Sequence, residues 1–438
     1  MNAQNLGVVF FPAFDWAISP SHPEREERLL YTRDQILEEG LLDMPAIREY
    51  KPKVASYRDV ERVHVGVPDM DSLLTDAHLI SAGGAIAAAD AVMRKEVKRA
   101  FAMVRPPGHH AMRIVHGTRG FCTINMEAIM VEYIRKTYGI GKVAIIDTDV
   151  HHGDGTQDIF YHDPETLFIS FHQDGRTLYP GTGFPHELGS PNAMGTTVNI
   201  PLPPGTGDQG LHEVLENFIL PVLEDFKPEL IINSAGQDNH YSDPLAGMAV
   251  TAQGYARLAD ALKADIAVLE GGYSIEAALP YVNVGIVLAM AGMDYSKVVE
   301  PDNSSCPSQS SSVTRCIRDR IQERQLMWKK REQLRREALE QHGRFWERKR
   351  SIYYDDDGIE EEQKERLYLC PHCSGYAMIE TSAQSSFQRN TACVGIIPRV
   401  ACPACRRSAY EAVHNAKKQG QYQQYLVQNK YEDRMEIL

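Results

Sequence analysis

The chain has 438 residues, of which 43% are hydrophobic and 24% charged, and this balance excludes a disordered or fibrous protein. Its length predicts about two to three folded units, one of them large. A formal net charge of −13 argues against sequence-independent nucleic-acid binding by the whole chain, because such binding needs clustered Lys and Arg. The first residues lack a basic leader and their apolar run ends at Pro12, so we expect a cytoplasmic protein with no membrane segment.

Short runs rich in Val and Ile alternate with longer helix-like stretches from about residue 6 to residue 293. This alternation predicts an α/β fold in which helices cover both faces of a parallel sheet, and we assign residues 1–300 to one large domain. Predicted strands span residues 7–11, 102–104, 142–146, 166–171, 230–234 and 266–269. Predicted helices span residues 81–97, 126–137, 209–226 and 252–264.

Polar residues crowd the ends of four predicted strands, at residues 105–110, 147–154, 233–245 and 270–273. Each segment alone is compatible with an ordinary turn. Because the carboxyl ends of parallel strands meet at one edge of a sheet, the four together predict a single pocket. Two residues spaced like Asp149 and His151 point the same way on an extended chain and can bind one ion. A mixed set of His and carboxylate side chains suits a catalytic Zn²⁺ that keeps one position open.

Six segments of this domain, in this order, resemble the motif series of histone deacetylases and their prokaryotic relatives, including the acetoin-utilisation and acetylpolyamine amidohydrolase types. These segments are RPPGHHA, GFCTIN, DTDVHHGDGTQDIF, YPGTG, SAGQDNHYSDPL and LEGGY. The resemblance covers roughly residues 6–295. It implies an arginase-like α/β fold with a central parallel sheet of about eight strands, and a metal-dependent amidohydrolase that acts on linear amides.

The resemblance also implies which residues hold the catalytic metal and the potassium ion of the family. The catalytic zinc ligands would be Asp149, His151 and Asp243, and the choice between Zn²⁺ and Fe²⁺ stays open. A potassium ion beside the zinc would contact Asp147 and Ser170. The domain would therefore carry two cation sites on neighbouring strands.

Catalytic roles follow from the same resemblance. His110 would act as general base and later as general acid, while His109 would be its electrostatic partner. Asp147 and Asp154 would orient these two histidines. Tyr273 would donate a hydrogen bond to the oxyanion of the tetrahedral intermediate.

A narrow tube for an extended acyl-lysine-like chain is the last implied feature. Phe121 and Tyr179 would form its aromatic walls and Gly120 would line its side, although packing in the core is the alternative role for Phe121. Some eukaryotic members carry a carboxylate on the rim that contacts the substrate backbone. Asp69 and Asp71 are the candidates for it here.

The composition of the sequence changes after residue 300, where polar and charged residues replace the apolar runs. Residues 301–313 are rich in Ser and Pro and are predicted to be a linker. Residues 314–365 are predicted to be a charged, net-basic helical segment, because residues 315–350 carry 13 Lys or Arg against 6 Asp or Glu. Such a segment is either a solvated connecting helix or a surface for nucleic acid or an acidic protein.

Two CxxC pairs lie near the C-terminus and are separated by 28 residues. Because four thiolates satisfy a tetrahedral structural site, residues 366–414 are predicted to form a zinc ribbon, followed by a helical tail at residues 415–438. A redox-active pair is the alternative, and Cys393 and His372 stay open as substitute ligands. The predicted zinc ligands are Cys370, Cys373, Cys402 and Cys405.

Three functions are compatible with these features. The first is a zinc-dependent deacetylase that removes acetyl or other acyl groups from lysine side chains of proteins, with the basic helix and the ribbon contacting protein or nucleic acid. The second is an amidohydrolase of acetylpolyamines or another small acetylated amine. The third is a non-catalytic scaffold that binds acyl-lysine. The preferred acyl chain and the oligomeric state, a homo-oligomer included, stay open.

Overall fold

A computed structural model of the chain describes residues 4–438. Ten strands lie in the first 300 residues that it describes: β1 (Gln4–Phe11), β2 (Ile47–Tyr50), β3 (Val65–Gly66), β4 (Val97–Val104), β5 (Ile114–Val115), β6 (Val143–Asp147), β7 (Thr166–Gln173), β8 (Thr197–Leu202), β9 (Leu230–Ala235) and β10 (Ile266–Leu269). Nine helices accompany them: α1 (Leu30–Glu38), α2 (Tyr57–Glu61), α3 (Asp76–Met93), α4 (Met126–Tyr138), α5 (Asp154–Phe160), α6 (Asp208–Val214), α7 (Leu220–Phe226), α8 (Ala252–Leu262) and α9 (Leu279–Ala291).

The central sheet has eight strands in the order β2-β1-β4-β10-β9-β6-β7-β8. All of its strand pairs are parallel. One large hydrophobic cluster packs on each face of this sheet. The predicted α/β fold with a parallel sheet of about eight strands is therefore confirmed.

Strand order explains why the polar segments meet. The four strands β4, β10, β9 and β6 are direct neighbours in the middle of the sheet. Each of the four polar segments begins at the carboxyl end of one of them. The structure therefore brings the predicted strand exits to one edge of the sheet.

All six predicted strands overlap observed ones, but four strands of the first 300 residues, β2, β3, β5 and β8, and four helices, α1, α2, α5 and α9, are not predicted. Strands β2 and β8 lie at the two edges of the central sheet, where the hydrophobic runs are short or interrupted by Pro. Helix α9 is buried and apolar on all sides, so it lacks a helical hydrophobic period. The predicted helix 209–226 is present as α6, a π-helical turn at Leu215–Ile219, and α7.

The C-terminal part consists of one long helix followed by a mixed sheet. Its elements are α10 (Ser311–His342), β11 (Phe345–Tyr354), β12 (Ile359–Tyr368), β13 (Tyr376–Gln384), β14 (Arg389–Ile397), α11 (Pro403–Gln419), β15 (Gln424–Asn429) and β16 (Arg434–Ile437). The six strands form one sheet in sequence order, and only β14 and β15 pair in parallel. This C-terminal sheet crosses the predicted boundaries at residues 365 and 414.

Two predicted helical regions are therefore wrong. Residues 345–354 and 359–368 form strands instead of the end of a basic helix. The sequence gives no hydrophobic alternation for β12, because its buried positions include Glu361, Gln363 and Glu365. The predicted helical tail contains β15 and β16. Pairing with β14, which is distant in sequence, decides this conformation and leaves no local signal.

Helix α10 packs along the catalytic domain. Ile317, Ile321 and Trp328 are buried in one of the two large hydrophobic clusters. Trp328 Nε1 donates a hydrogen bond to Asp225 Oδ2 at 2.8 Å, and Arg318 Nε lies 2.8 Å from Glu213 Oε2. The helix is therefore docked along one face, and some of its basic side chains, such as Lys329, Lys330 and Arg336, are exposed.

The C-terminal sheet shares a hydrophobic core with the catalytic domain. Val65, Val67 and Ile114 of the catalytic domain lie in one buried cluster with Ile379 and Val394 of the sheet. Ion pairs at the edge of this core join Arg348 and Arg350 to Asp158. Within the described residues, no helix is long and apolar enough to span a bilayer.

Replacing Trp328 by Ala removes a buried indole together with its hydrogen bond to Asp225. We expect the free energy of unfolding to fall by about 3 kcal/mol. Urea unfolding followed by circular dichroism measures this change. Leu326→Ala, at a position on the same helix that is 54% exposed, is the matched control and should change stability by less than about 0.5 kcal/mol. Equal unfolding midpoints for the two variants would contradict the docking of α10.

Candidate active site

Two adjacent histidines follow β4, and each is hydrogen-bonded to its own aspartate. His109 Nδ1 lies 3.1 Å from Asp147 Oδ2, and His110 Nδ1 lies 2.8 Å from Asp154 Oδ1. All four side chains are buried. Because each Nδ1 is bound to a carboxylate, the remaining ring nitrogen, Nε2, is the one available for chemistry. The predicted His–Asp pairs are thus brought together by the structure.

The two histidines differ in charge. Burial, together with the neighbouring His109, lowers the pKa of His110 to about 3. Burial acts in the same direction on His109, but the charges of Asp149 and Asp147 outweigh it and raise the pKa of His109 well above its ordinary value. Near neutral pH the pair therefore holds one cationic ring, His109, and one neutral ring, His110.

Asp149, His151 and Asp238 form a close group of side chains of the kinds that bind metals. His151 Nδ1 lies 3.1 Å from Asp149 Oδ1 and 3.1 Å from Asp238 Oδ2, and the ligand atoms of all three residues lie within 4.8 Å of one another. A Cβ at Gly236 would come within 2.1 Å of Asp149 Oδ2, and one at Gly271 within 2.2 Å of Asp238 Oδ2. Glycines thus keep this cradle open. Carboxylates and an imidazole at this place fit a catalytic Zn²⁺ with an open position.

Asp243, the third ligand that the motif resemblance implies, lies on the loop five residues beyond Asp238. Its Oδ2 accepts a hydrogen bond from Tyr273 N at 2.7 Å, and its Oδ1 accepts one from Leu245 N at 3.0 Å. Burial and the charge of Asp238 raise the pKa of Asp243 to about 7. Asp238 binds His151 Nδ1 and leaves Nε2 of that ring free for a metal ion. The ligand set Asp149, His151 and Asp243 stays a prediction.

Tyr273 is fixed at the same edge of the sheet. Its backbone N–H is bound by Asp243, and its ring packs edge-on against Phe121 with centroids 5.4 Å apart. The buried guanidinium of Arg28 lies 4.9 Å from the centre of the Tyr273 ring, and Arg28 Nε donates a hydrogen bond to Gly272 O at 2.8 Å. Asp243 and Arg28 thus fix the backbone of the segment that carries Tyr273.

A cavity of about 650 Å³, open to solvent, lies above these groups. The predicted tube residues Gly120, Phe121 and Tyr179 all line it. A Cβ at Gly120 would come within 2.5 Å of His110 Cδ2, so the wall of the cavity lies directly against the general-base candidate. The other lining residues are Pro107, His109, His110, Cys122, His151, Leu178, Leu245, Tyr273 and Asp355.

Asp355 is a lining residue that sequence patterns did not indicate, because it comes from the turn between β11 and β12. The two candidates for a rim carboxylate, Asp69 and Asp71, are not among the described residues that line this cavity. Asp69 Oδ1 instead accepts a hydrogen bond from Ser72 N at 2.8 Å. Among the described residues, the C-terminal sheet therefore supplies a carboxylate that lines this cavity.

Asp147 and Ser170, the residues of the predicted potassium site, are paired in register on the neighbouring strands β6 and β7. Ser170 Oγ is hydrogen-bonded to His172 Nδ1 at 2.8 Å. Asp147 Oδ1 accepts a hydrogen bond from Asp149 N at 3.1 Å. The two residues are thus adjacent, and a potassium ion there stays a prediction.

Four thiols meet in the C-terminal sheet, where Cys370 and Cys373 follow β12 while Cys402 and Cys405 stand at the start of α11. Their sulfur atoms lie within 4.8 Å of one another, and all four cysteines are free. A hydrogen bond from the backbone of Cys405 lowers the pKa of Cys402 to about 7. Cys393, on β14, is not part of this group. Four converging thiols fit a closed structural Zn²⁺ site better than a redox pair does.

Substituting the two aspartates separately distinguishes their roles. Asp243→Ala should lower the zinc content by one equivalent per chain, because it removes one of the three predicted ligands. Asp238→Asn should keep the zinc at saturating metal and weaken its affinity about tenfold to a hundredfold, because Asp238 acts on the metal only through His151 Nδ1. Mass spectrometry of the metal in purified variants and zinc titration measure these effects. The assignment fails if the Asp238 variant loses zinc while the Asp243 variant keeps it.

Comparison with known proteins agrees with this geometry. A sequence profile of the histone deacetylase domain matches residues 69–285. A probable deacetylase of Archaeoglobus fulgidus is 50% identical over 325 residues, which cover 68% of this chain and 89% of that protein. A histone deacetylase-like amidohydrolase of Pseudomonas aeruginosa is 37% identical over 223 residues, covering 49% of this chain and 58% of that protein.

A chloroplastic protein of Arabidopsis thaliana, histone deacetylase 14, is 42% identical over 45% of this chain, and the match covers 49% of that protein. The chain thus spans only about half of the plant and bacterial relatives. Among solved structures, the HDA15 HD domain superposes with a TM-score of 0.65 at 27% identity, covering 78% of this chain and 99% of that one. By its fold, by the residues gathered at its sheet edge and by these relatives, the chain belongs to the histone deacetylase family of hydrolases.

Proposed function

We propose that this protein is a zinc-dependent deacetylase that hydrolyses N-acetyl or other N-acyl amides of lysine side chains in proteins. The observation that carries the proposal is the convergence of three elements on one cavity. These are the two His–Asp pairs, the carboxylate–imidazole cradle, and Tyr273. A cavity lined by two aromatic side chains suits the extended, apolar stem of an acyl-lysine.

Asp149, His151 and Asp243 would hold the catalytic ion, and Asp238 would orient His151 through its Nδ1. A Zn²⁺ bound there would polarise the acyl carbonyl and lower the pKa of water towards about 7. Asp147 and Ser170 would contact the potassium ion, and the four cysteines of the C-terminal sheet would bind a structural zinc. The exposed basic face of α10 and the C-terminal sheet would contact the protein or nucleic acid that accompanies the substrate.

His110 would transfer the protons of the reaction. Its neutral ring accepts a proton from the attacking water at Nε2 and later returns that proton to the amine that leaves. Asp154 accepts the Nδ1–H hydrogen bond at 2.8 Å and so fixes the tautomer that this transfer needs. The cationic His109 places a positive charge beside the developing negative charge of the transition state.

Tyr273 would stabilise the oxyanion of the tetrahedral intermediate. Burial raises the pKa of its phenol well above the ordinary value, so the hydroxyl keeps its proton and acts as a donor. One such donor is worth about 3 to 4 kcal/mol of transition-state stabilisation. Asp243 and Arg28 would hold the tyrosine in place for this role.

An acetylpolyamine or another small acetylated amine is the second candidate substrate. The observation that favours it is the carboxylate of Asp355 at the cavity, which would attract a cationic amine. A non-catalytic scaffold would have no need of two complete His–Asp pairs beside a metal cradle. Hydrolysis therefore remains the proposed activity for either substrate.

The choice of substrate is tested by comparing acetate release from an acetyl-lysine peptide and from N-acetylputrescine, with zinc-loaded full-length protein. We expect the peptide to have the higher kcat/KM, because its lysine stem fills the tube. A higher kcat/KM for N-acetylputrescine would contradict the preference for lysine. Binding of acyl-lysine peptides without release of any acid, from any chain length, would reject the hydrolase function.

Tyr273→Phe provides the mechanistic control in the same assay. It should lower kcat by about a hundredfold or more with little change in KM, since the hydroxyl acts mainly in the transition state. Tyr57→Phe removes a hydroxyl from an exposed tyrosine elsewhere and should leave both constants unchanged. A Tyr273 variant with the turnover of the wild type would exclude the tyrosine as the oxyanion donor.

A further inference from the structure

Three consecutive aspartates at the turn between β11 and β12 reach from the C-terminal sheet to the wall of the substrate cavity. Asp355 Oδ1 accepts a hydrogen bond from Gly120 N at 3.0 Å, and Asp356 Oδ2 accepts one from Phe121 N at 3.0 Å. Asp357 Oδ2 accepts a hydrogen bond from Thr118 N at 2.6 Å. Each carboxylate thus binds a different backbone N–H of one short segment, residues 117–121, which we call the channel loop.

The channel loop needs such partners because of its backbone conformation. Gly120 and Phe121 have φ angles of +52° and +69°, so two successive residues lie in the left-handed region, and one of them carries a large side chain. Successive N–H groups in this kind of turn form a concave site for anions. The carboxylates of the hairpin occupy that concavity and satisfy its donors.

Both aromatic walls of the tube are in contact with the aspartates. Asp355 Oδ1 also accepts a hydrogen bond from the Tyr179 hydroxyl at 3.0 Å. Asp356 lies 3.8 Å from His22 Nε2, and the His22 ring packs edge-on against Phe121 with centroids 4.2 Å apart. The hairpin tip therefore joins the two walls, which come from different segments of the catalytic domain.

The base of the hairpin is anchored rigidly next to the channel loop. Tyr354, directly before the aspartates, is buried, and its hydroxyl donates a hydrogen bond to Ile114 O at 2.9 Å. Ile352, Tyr354 and Met112 form a small buried cluster. Met112 and Ile114 lie just before the channel loop in sequence. The hairpin tip and the channel loop are therefore anchored to the same segment of the catalytic domain.

We propose that Asp355, Asp356 and Asp357 are positioning residues for the substrate tube, so that the C-terminal sheet is part of the machinery that binds the acyl-lysine chain. The aspartates act through Phe121 and Tyr179, whose separation and orientation set the width of the tube. The C-terminal sheet thus shapes the substrate tube in addition to its proposed contact with protein or nucleic acid. This inference rests on the proposed function for its kinetic effect, but the contact itself is independent of the reaction.

Single alanine substitutions in the full-length, zinc-loaded protein test the proposal. Asp355→Ala, Asp356→Ala and Asp357→Ala should each raise KM for an acetyl-lysine peptide about tenfold, while kcat changes less than about twofold. The asparagine variants keep one acceptor oxygen and should recover most of the affinity. Loss of folded protein alone would lower apparent kcat and leave KM unchanged, so the split between the two constants separates positioning from stability.

Hydrogen–deuterium exchange provides a readout that does not depend on activity. The peptide that covers residues 117–122 should exchange faster in the alanine variants, whereas the peptide that covers β6 should not change. Gly117→Ala probes the contact from the other side, because its Cβ would come within 2.5 Å of Asp357 Oδ2. It should accelerate exchange in the same peptide. Asp319→Ala, at an exposed carboxylate on α10, is the charge-matched control and should behave as the wild type in both experiments.

Unchanged KM and unchanged exchange in all three alanine variants would overturn the proposal. If the wild type hydrolyses no acyl amide, the proposed function fails, and the exchange experiment still decides whether the tip holds the channel loop. If hydrolysis is normal but exchange at residues 117–122 is unaffected, only the inference about the hairpin is overturned.

Discussion

Burial of negative charge at one edge of the sheet is the constraint on which this structure depends. Asp147, Asp149 and Asp238 are all fully buried, and an isolated buried carboxylate costs several kcal/mol. Here each carboxylate faces a histidine, and backbone N–H groups add support: Gly271 N donates to Asp149 Oδ2 at 2.7 Å and Val150 N to Asp238 Oδ1 at 2.9 Å. The remaining negative charge points into the cradle, where a divalent cation would compensate it.

The topology of the sheet makes this concentration of charge attainable. Strands β4, β6, β9 and β10 are separated in the chain by long helical crossovers, but they are direct neighbours in the sheet. Since all run in the same direction, their exits supply the histidines, the cradle and the tyrosine from four independent segments. Helices on both faces keep the sheet buried, which gives the exits a rigid support.

The sequence is sufficient for the parts of the site that depend on local pattern. The strand ahead of Asp147 is predicted from its apolar run, whereas the pairing of His109 and His110 with two aspartates is implied by the motif resemblance. The role of Asp238 is not predicted, since spacing within one loop does not reveal which carboxylate turns back towards His151. The structure shows this through the contact between Asp238 Oδ2 and His151 Nδ1 at 3.1 Å.

The C-terminal part was harder to predict because long-range contacts decide its conformation. Strand β12 buries Glu361, Gln363 and Glu365 and so has no hydrophobic alternation, and β15 is a strand because β14 pairs with it. The contact between Asp355 and Gly120 joins residues 235 positions apart, for which a single sequence carries no signal. The four cysteines, in contrast, were found from their spacing, because two knuckles are recognisable without knowledge of the sheet that holds them.

The position of the catalytic ion is the central claim, and anomalous diffraction at the zinc absorption edge from crystals of the zinc-loaded protein measures it most directly. We expect one peak among Asp149, His151 and Asp243 and a second peak among the four cysteines. A catalytic-domain peak bound by Asp238 instead of Asp243, or no peak in the cavity of zinc-saturated crystals, would contradict this placement of the ion.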